Sequence, residues 1–531
     1  MEYQLTREVC RTPEVVFEGT REIPVDLDLS LPDYCPDIEK ILKCRISPGI
    51  TGRSISGDML EIDGSALISL YYLDSKKKAV RLCEHQSPFS CSFALRPGTD
   101  DAMAMLRLRT EYLNCRAVSP RRADIHGAFS VCASVVSGSE QEFFSGIDGE
   151  DIQQKKTSRT VSRLCAAGQQ QFSITEVLDI GQGKGFPESI LRSELSARCV
   201  SAKALTDKLM INGEAVLRIL YVTDIESGAQ DTMTFNIPFS QVIDAKGISD
   251  TTTNEVAIEV MNFDTALKSE YDENSTLVTL DAKLCASVTA TEETEAEFVE
   301  DAYSTEYELE LDKKQYKFTH LVSLLDTDFS VKSEVSTGEC GISRVSDIWC
   351  DSVSSMCVYE NDAFSVKGKA VCCILALDGE GVPYYVERSI DLSFSPVLPG
   401  ASGSQEQKSA EDHRFTDTAM RPELSARTEL KVTGASFRIT GDNSIEIKLD
   451  MKLTGAVTEQ KTVRCITGAR SSDDRCRFKD RNAALTLYFA SKGESLWDIA
   501  CAYCTSAEAV KLENEISEDI ISEDCMIMIP M

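Results

Sequence analysis

Cys501-Ala-Tyr-Cys504 has the spacing of a dithiol redox centre or of half a zinc site. A zinc site needs further ligands. No second CxxC exists, and His85, His126, His320 and His413 lie far from this one in sequence. Gly181-Gln-Gly-Lys-Gly185 is glycine-rich, but no Gly-Lys-Ser/Thr follows, so Lys184 reads as a solvated loop residue. Gly434–Gly441 lies between strand-like runs without a following helix, which removes a dinucleotide-binding reading. Carboxylate pairs such as Glu292-Glu293 and Glu411-Asp412 do acid–base work only when buried with separated pKa values. Among 86 acidic residues such pairs arise by number alone. Gly-x-Ser-x-Gly, HExxH and Walker motifs are missing. Lys155–Arg163 is the one cationic island, a solvated face or a contact for an acidic partner. The expectation is a protein without catalytic residues, cofactor or metal.

Composition narrows the partners. The 531 residues carry 55 basic and 86 acidic side chains, a net charge of −31. So acidic a surface repels phosphate backbones and anionic lipids, so neither nucleic acid nor direct membrane insertion is expected. No apolar run approaches the roughly 20 residues of a bilayer helix. Glu2, Arg7 and Glu8 stand where a signal peptide would be apolar. The chain is therefore expected to stay where it is made. Its 20 cysteines are scattered from Cys10 to Cys525, many within apolar runs, as befits reduced core thiols.

The elements that must position any site come in repeats. Leu60–Asp74, Leu209–Asp224 and Phe364–Asp378 each hold a glycine (Gly64, Gly213, Gly368), an alternating apolar run and a turn aspartate. Pro88-Phe89 and Pro238-Phe239 follow the first two, and a looser Ile390–Phe394 follows the third. Gln171–Val177 matches Asp328–Val335, with Phe172 aligned to Phe329. Ala128–Val135, Thr279–Val288 and Ile445–Val457 close the units. A period of about 150 residues predicts three duplicated units. Their period-two alternation predicts strands, and Thr440–Asn443 predicts a hairpin turn. Pro36–Leu42 has helical spacing, so one short helix per unit is expected. Pro399–Ala419 and Gly247–Asn254 read as loops, and Ala469–Asn482 as a spacer.

After the spacer, strands at Thr486–Ala490 and Met526–Ile529 flank two helical patterns. Ser495 with Asp498, and Thr505 with Glu508, have capping-box spacing. Leu496, Ile499, Ala500 and Tyr503 share one face, and Asn514 suits a helix end. This strand-helix-helix-strand module resembles a LysM domain. The resemblance rests on Tyr488, Gly493-Glu494-Ser495-Leu496, Ile499-Ala500, Thr505-Ser506, Asn514-x-Ile516 and Ile529-Pro530. The family's Gly-Gln before the last strand is here Asp524-Cys525. LysM domains bind N-acetylglucosamine polymers in a groove between two loops. By position that groove takes Gly493, Glu494, Ser495, Leu496 and the stretch from Ile516 to Ile521, with Ile520 at its end, and Trp497 and Asn514 are further candidates for partner or glycan binding. Nine acidic and two basic side chains in the module oppose an anionic wall glycan, so a protein is an equal candidate. Leu496 reads as core filler, while Trp497, one position off the buried face, is open to surface recognition.

The repeats in turn resemble SPOCS modules, through Leu31–Leu42, the glycine-led strand and the Pro-Phe segment. Repeated SPOCS modules before a C-terminal LysM resemble the SipL-type coat morphogenetic proteins of endospore formers. That resemblance implies a non-enzymatic scaffold in the mother-cell cytosol, at the forespore surface and in the spore coat. Its implied partners are the coat-basement ATPase or other coat proteins, docked through Trp497, Leu496 and Ile521. Peptidoglycan of the wall or cortex is the alternative ligand. The expected fold is mainly β: antiparallel sandwich-like repeats at 1–160, 161–318 and 319–470, a linker at 471–483, and a βααβ LysM-like domain at 484–531.

Overall fold

The computed structural model describes all residues except 1–2, 77–78, 97–101, 181–183, 270–275, 339–340, 361–362, 397–422, 477–484 and 531. The expected loop Pro399–Ala419 lies outside the described residues. Three six-stranded units follow one another. The first comprises β1 (Leu5–Ser30), β2 (Ile38–Ser56), β3 (Met59–Asp74), β4 (Val80–Ala94), β5 (Met103–Ser119) and β6 (Arg122–Ile147). The second comprises β7 (Ile152–Asp179), β8 (Ser189–Leu205), β9 (Lys208–Asp224), β10 (Ala229–Asp244), β11 (Thr253–Ser269) and β12 (Thr276–Ser304). The third comprises β13 (Tyr307–Ser336), β14 (Arg344–Glu360), β15 (Ala363–Leu377), β16 (Pro383–Phe394), β17 (Glu423–Gly441) and β18 (Ser444–Cys476). Each unit packs two antiparallel three-stranded sheets: β2-β3-β4 on β1-β6-β5, β8-β9-β10 on β7-β12-β11, and β14-β15-β16 on β13-β18-β17. The fold is mainly β and its triplication is complete in strand order.

The duplicated motifs prove to be parts of one device. Gly64 pairs with Phe89 and Gly213 with Phe239 across neighbouring strands. A Cβ on either glycine would meet the ring at 2.2 Å, so the aromatic covers bare backbone. Phe239 in turn packs on Phe172 at 5.4 Å, and Phe394 stacks on Phe329 at 4.1 Å. Each unit thus closes its core by setting one marker on another. The Thr440–Asn443 turn joins β17 to β18, with Gly441 opposite Ser444.

The helix expected at Pro36–Leu42 is strand: β2 begins at Ile38. Register shifts lie between Ile38 and Lys40 and between Ile41 and Lys43. The first bulge adds one residue to the two-residue period, so Ile38 and Ile41 share a core at a spacing of three, and Leu42, the extra residue of the second bulge, completes the imitation of a helix. Ile41 consequently packs on the core of unit one, while Leu42 joins a cluster shared with units two and three. No unit has a helix among the described residues. The expected boundaries at 160/161 and 318/319 fall inside β7 and β13. The last strand of each unit turns straight back into the first strand of the next, so the breaks lie at 148–151 and 305–306. Likewise Ala469–Cys476 is not spacer, since β18 pairs with β13 as far as Cys476.

Two junctions fuse the units. Beyond Val136, Thr291 and Gln460 the closing strands lose their β5, β11 and β17 partners and continue as two-stranded ribbons with β1, β7 and β13. The ribbons share a core in which Phe143, Phe298 and Phe318 meet at ring distances of 4.6, 5.0 and 5.7 Å. At the other junction the glycine-led strands β3, β9 and β15 converge. The cationic stretch Lys155–Arg163 lies on the β7 ribbon. There Arg163 meets Glu292 at 2.7 Å and Lys156 meets Glu297 at 3.4 Å on the neighbouring strand. Part of the island is thereby neutralised within the ribbon.

The C-terminal module consists of β19 (Leu485–Ala490), α1 (Leu496–Ala502), α2 (Ala507–Asn514) and β20 (Cys525–Pro530), with β19 antiparallel to β20. Its capping differs from expectation. Ser495 makes no side-chain cap, and the second helix is capped by Ser506, which accepts from Ala509 N at 3.0 Å. Thr505 is buried at the module's seat on the ribbon. Glu515, not Asn514, takes the left-handed position at the helix end, with φ 54°.

Candidate functional site

The groove residues expected in the module divide into two groups. Gly493, Glu494, Ser495, Ile520 and Ile521 come together. Gly493 N donates to Ile521 O at 2.8 Å, Ile521 N to Glu494 O at 2.9 Å, and Ser495 bridges Ile520. Gly493 sits at φ +92°, a conformation that suits glycine and lets the loop turn toward its partner. The Glu494 carboxylate accepts from Tyr488 OH at 3.2 Å and from Ser491 N at 3.1 Å, which holds the loop closed. Of this surface Ile520 is 58% exposed, while Leu496 and Ile521 are buried. Leu496 and Ile521 therefore fill the module's core and offer no docking surface. Ile516 is half-buried against that core. Asn514 faces elsewhere: its amide bonds both N and O of Met528 at 2.6 Å.

Trp497 is not presented to solvent as a free recognition residue. Its Nε1 donates to Asp301 Oδ2 at 3.1 Å, and its ring meets Tyr303 edge-on at 4.8 Å. Tyr303 is 3% exposed, packs within the module's own core and donates its hydroxyl to Thr505 O at 2.6 Å. Asp301 and Tyr303 belong to β12, so the module is seated on the ribbon. Lys313 Nζ completes the seat at 2.7 Å from Asp301 Oδ1. Burial raises the Asp301 pKa, but the bonds from Lys313 and Trp497 outweigh it and hold the carboxyl below its ordinary value. Strand periodicity leaves this seat invisible, because Asp301 and Tyr303 look like any residues of an alternating strand.

The junction of β3, β9 and β15 holds buried, paired charge. Lys43, Arg192 and Asp347 occupy one register position in the three units, opposite Tyr71, Leu220 and Leu375. Arg192 Nη2 lies 2.6 Å from Asp347 Oδ2, with both side chains essentially inaccessible, and Arg218 takes Oδ1 at 2.7 Å. Arg192 also lies 4.9 Å from the centre of the Trp349 ring. Lys43 pairs with Glu387 and, at 3.2 Å, with Asp351. Burial lowers the Lys43 pKa, yet Asp351 and Glu387 together drive it above its usual range. Arg192 also pairs with Glu194 of its own unit at 2.7 Å, but each of the other pairs crosses a unit boundary, so the cluster joins units. A recess of about 260 Å³ between units one and two has a single ionisable wall residue, Arg53. Arg53 pairs with Glu259 at 2.8 Å. Cys501 is half-buried and Cys504 buried. Among the described residues no three His, Cys, Asp or Glu gather as a metal site.

Three sandwiches with a seated βααβ module define a tandem β-repeat protein whose recognisable surfaces are junctions. The SipL, SPOCS domain family matches residues 37–118 and 187–268. Those ranges coincide with β2–β5 and β8–β11, the strands inside each pair of ribbon-forming strands. Those two stretches are SPOCS domains of the SipL type, a domain associated with sporulation and the coat and not a known enzyme family. Unit three repeats the same strand order outside the matched ranges. No curated protein and no solved structure matches the chain. Among the described residues no helix is long and apolar enough to cross a membrane.

Proposed function

We propose that this chain is a non-enzymatic scaffold of endospore coat assembly. It works in the mother-cell cytosol at the forespore surface and docks on the coat-basement ATPase through its LysM-like module. The observation that carries this reading is the fusion of SPOCS units into one body through paired charges and a shared aromatic core. Such a body holds its module at a fixed place on a ribbon and leaves few buried groups for chemistry. Peptidoglycan binding is the second reading, favoured by the loop pair Gly493–Glu494 and Ile520–Ile521 and opposed by the module's acidity. Co-sedimentation separates the two. The full chain and a chain ending at Cys476 are mixed with purified basement ATPase polymer or with insoluble sacculi. The scaffold reading expects the full chain to pellet with the polymer and the shortened chain to stay in solution. Pelleting with sacculi alone replaces it with the second reading.

A further inference from the structure

We infer that the outward face of the β19–β20 sheet is a docking surface for a basic amphipathic helix of a partner protein. This rests on the docking role proposed above for the module. The strands pair Leu485 with Pro530, Leu487 with Met528 and Phe489 with Met526. Cross-strand partners share a face. The opposite face supplies Tyr488, Ala490, Ile527 and Ile529 to the module's core. On the outward face Leu487 is 63% exposed, Phe489 61% and Met526 60%, with Leu485 and Met528 beside them. Large apolar side chains gathered on one small sheet differ from scattered exposure and mark an interaction surface. The seat on Asp301 and Tyr303 engages Trp497 and Thr505, and leaves this face uncovered.

The β20 edge does not offer strand addition at Met528. Asn514 already bonds N and O of Met528, as a neighbouring strand would. The face remains. Its six-residue strands are about 20 Å long at roughly 3.3 Å per residue. A helix of about 13 residues covers that length. Met526 and Met528 give the strip an adaptable surface.

Charge selects the occupant. Glu513 and Glu515 flank Asn514 at the β20 edge, and Glu523 and Asp524 stand just before the strand. Lys492, whose backbone N donates to Asp524 Oδ1 at 2.7 Å, is the basic residue at that end. A second copy would bring two acidic rims together, and anionic lipid or wall polymer would meet the same repulsion. A helix with an apolar stripe between lysines or arginines complements both parts of the surface.

The test is fluorescence anisotropy of the full chain with a labelled synthetic peptide of about 15 residues. Leucines lie on one helical face and lysines on the other, and a scrambled peptide of equal composition is the control. Leu487→Gln and Phe489→Gln alter exposed side chains, and circular dichroism checks their fold. The patterned peptide is expected to bind about tenfold tighter than the scrambled one, and each substitution to remove that preference. Equal binding of both peptides, or an unchanged preference in both variants, overturns the inference. So does a wild-type dimer in sedimentation that Phe489→Gln dissociates, because the occupant is then a second copy. Retention on basement polymer is measured in parallel. A wild-type chain without peptide preference but with intact retention removes this face alone, whereas failed retention of the wild-type chain removes the docking role.

Discussion

The two junctions that fuse the units are built from opposite chemistry. Where the ribbons meet, Phe143, Phe298 and Phe318 form a largely apolar core. Where the glycine-led strands converge, Arg192 of unit two faces Asp347 of unit three, and Lys43 of unit one faces Asp351 and Glu387 of unit three. Apolar burial is non-directional and accepts many arrangements. Charges at equivalent positions do not. Putting unit one or unit two in the place of unit three would set Lys43 or Arg192 where Asp347 stands and leave the facing cation without that counter-charge. The ribbon therefore supplies cohesion, and the charged junction specifies which unit sits beside which. That division lets three copies of one fold assemble within a single chain in one order.

The sharpest way to break this comparison is to remove one partner of the buried pair. Asp347→Ala takes the shared counter-charge from Arg192 and Arg218, leaving Arg192 only Glu194, and is expected to cost about 3–5 kcal/mol in denaturant unfolding. The double substitution Arg192→Met with Asp347→Leu should restore most of that stability, since a well-packed apolar pair replaces a buried ion pair at little net cost. If both variants lose the same amount, charge pairing is not what the junction uses. In the ribbon, Phe298→Ala should cost about 3–4 kcal/mol. No second substitution of opposite charge rescues it, and its loss should be insensitive to salt.

Trp497→Ala probes the seat of the module. The expected effect is smaller, about 1–3 kcal/mol for one aromatic contact and one hydrogen bond to a carboxylate. Hydrogen exchange should quicken at Asp301–Ser304 while α2 and β20 keep their protection. Faster exchange throughout the module would mean that Trp497 supports the module's fold and not its seating.

Acid and alkali should separate the regions further. The Asp301 pKa is lowered in the folded chain from its ordinary 3.8. Its contribution is complete above 3.8 and is lost as pH falls through the lowered folded value. The Lys43 pKa is raised from 10.5, so its contribution is complete below 10.5 and fades as pH rises through the raised value. Seat opening, followed by Trp497 fluorescence in a Trp349→Phe background, is expected in strong acid. Loosening of the charged junction is expected in strong alkali as well. Trp497 emission that responds to alkali before acid would contradict the assignment of Asp301 to the seat.

Much of this fold is legible in the sequence because its devices are local. Gly64 and Phe89 stand in one repeated motif, Phe172 and Phe329 in another, and Thr440–Asn443 marks a turn. The strands and helices of the C-terminal module follow from alternation and spacing. Pro36–Leu42 misleads for a definite reason: two bulges convert a strand's period into apparent helical spacing. Contacts distant in sequence are another matter. Asp301 and Tyr303 reveal nothing of Trp497, and Lys43, Arg192 and Asp347 align only once the bulges are counted. Of the candidate site, the loop residues Gly493, Glu494, Ser495, Ile520 and Ile521 were legible as a group. The burial of Leu496 and Ile521 and the capture of Trp497 were not, because a neighbouring domain decides them.

The central claim, that three units and a seated module form one body, is tested most directly by equilibrium unfolding followed by hydrogen exchange across the whole chain. The account predicts that β6, β12 and β18 lose protection together at one denaturant midpoint, and that Tyr303 stays protected until the module is released. Separate midpoints for the three closing strands, with Asp301–Ser304 unprotected from the outset, would contradict it.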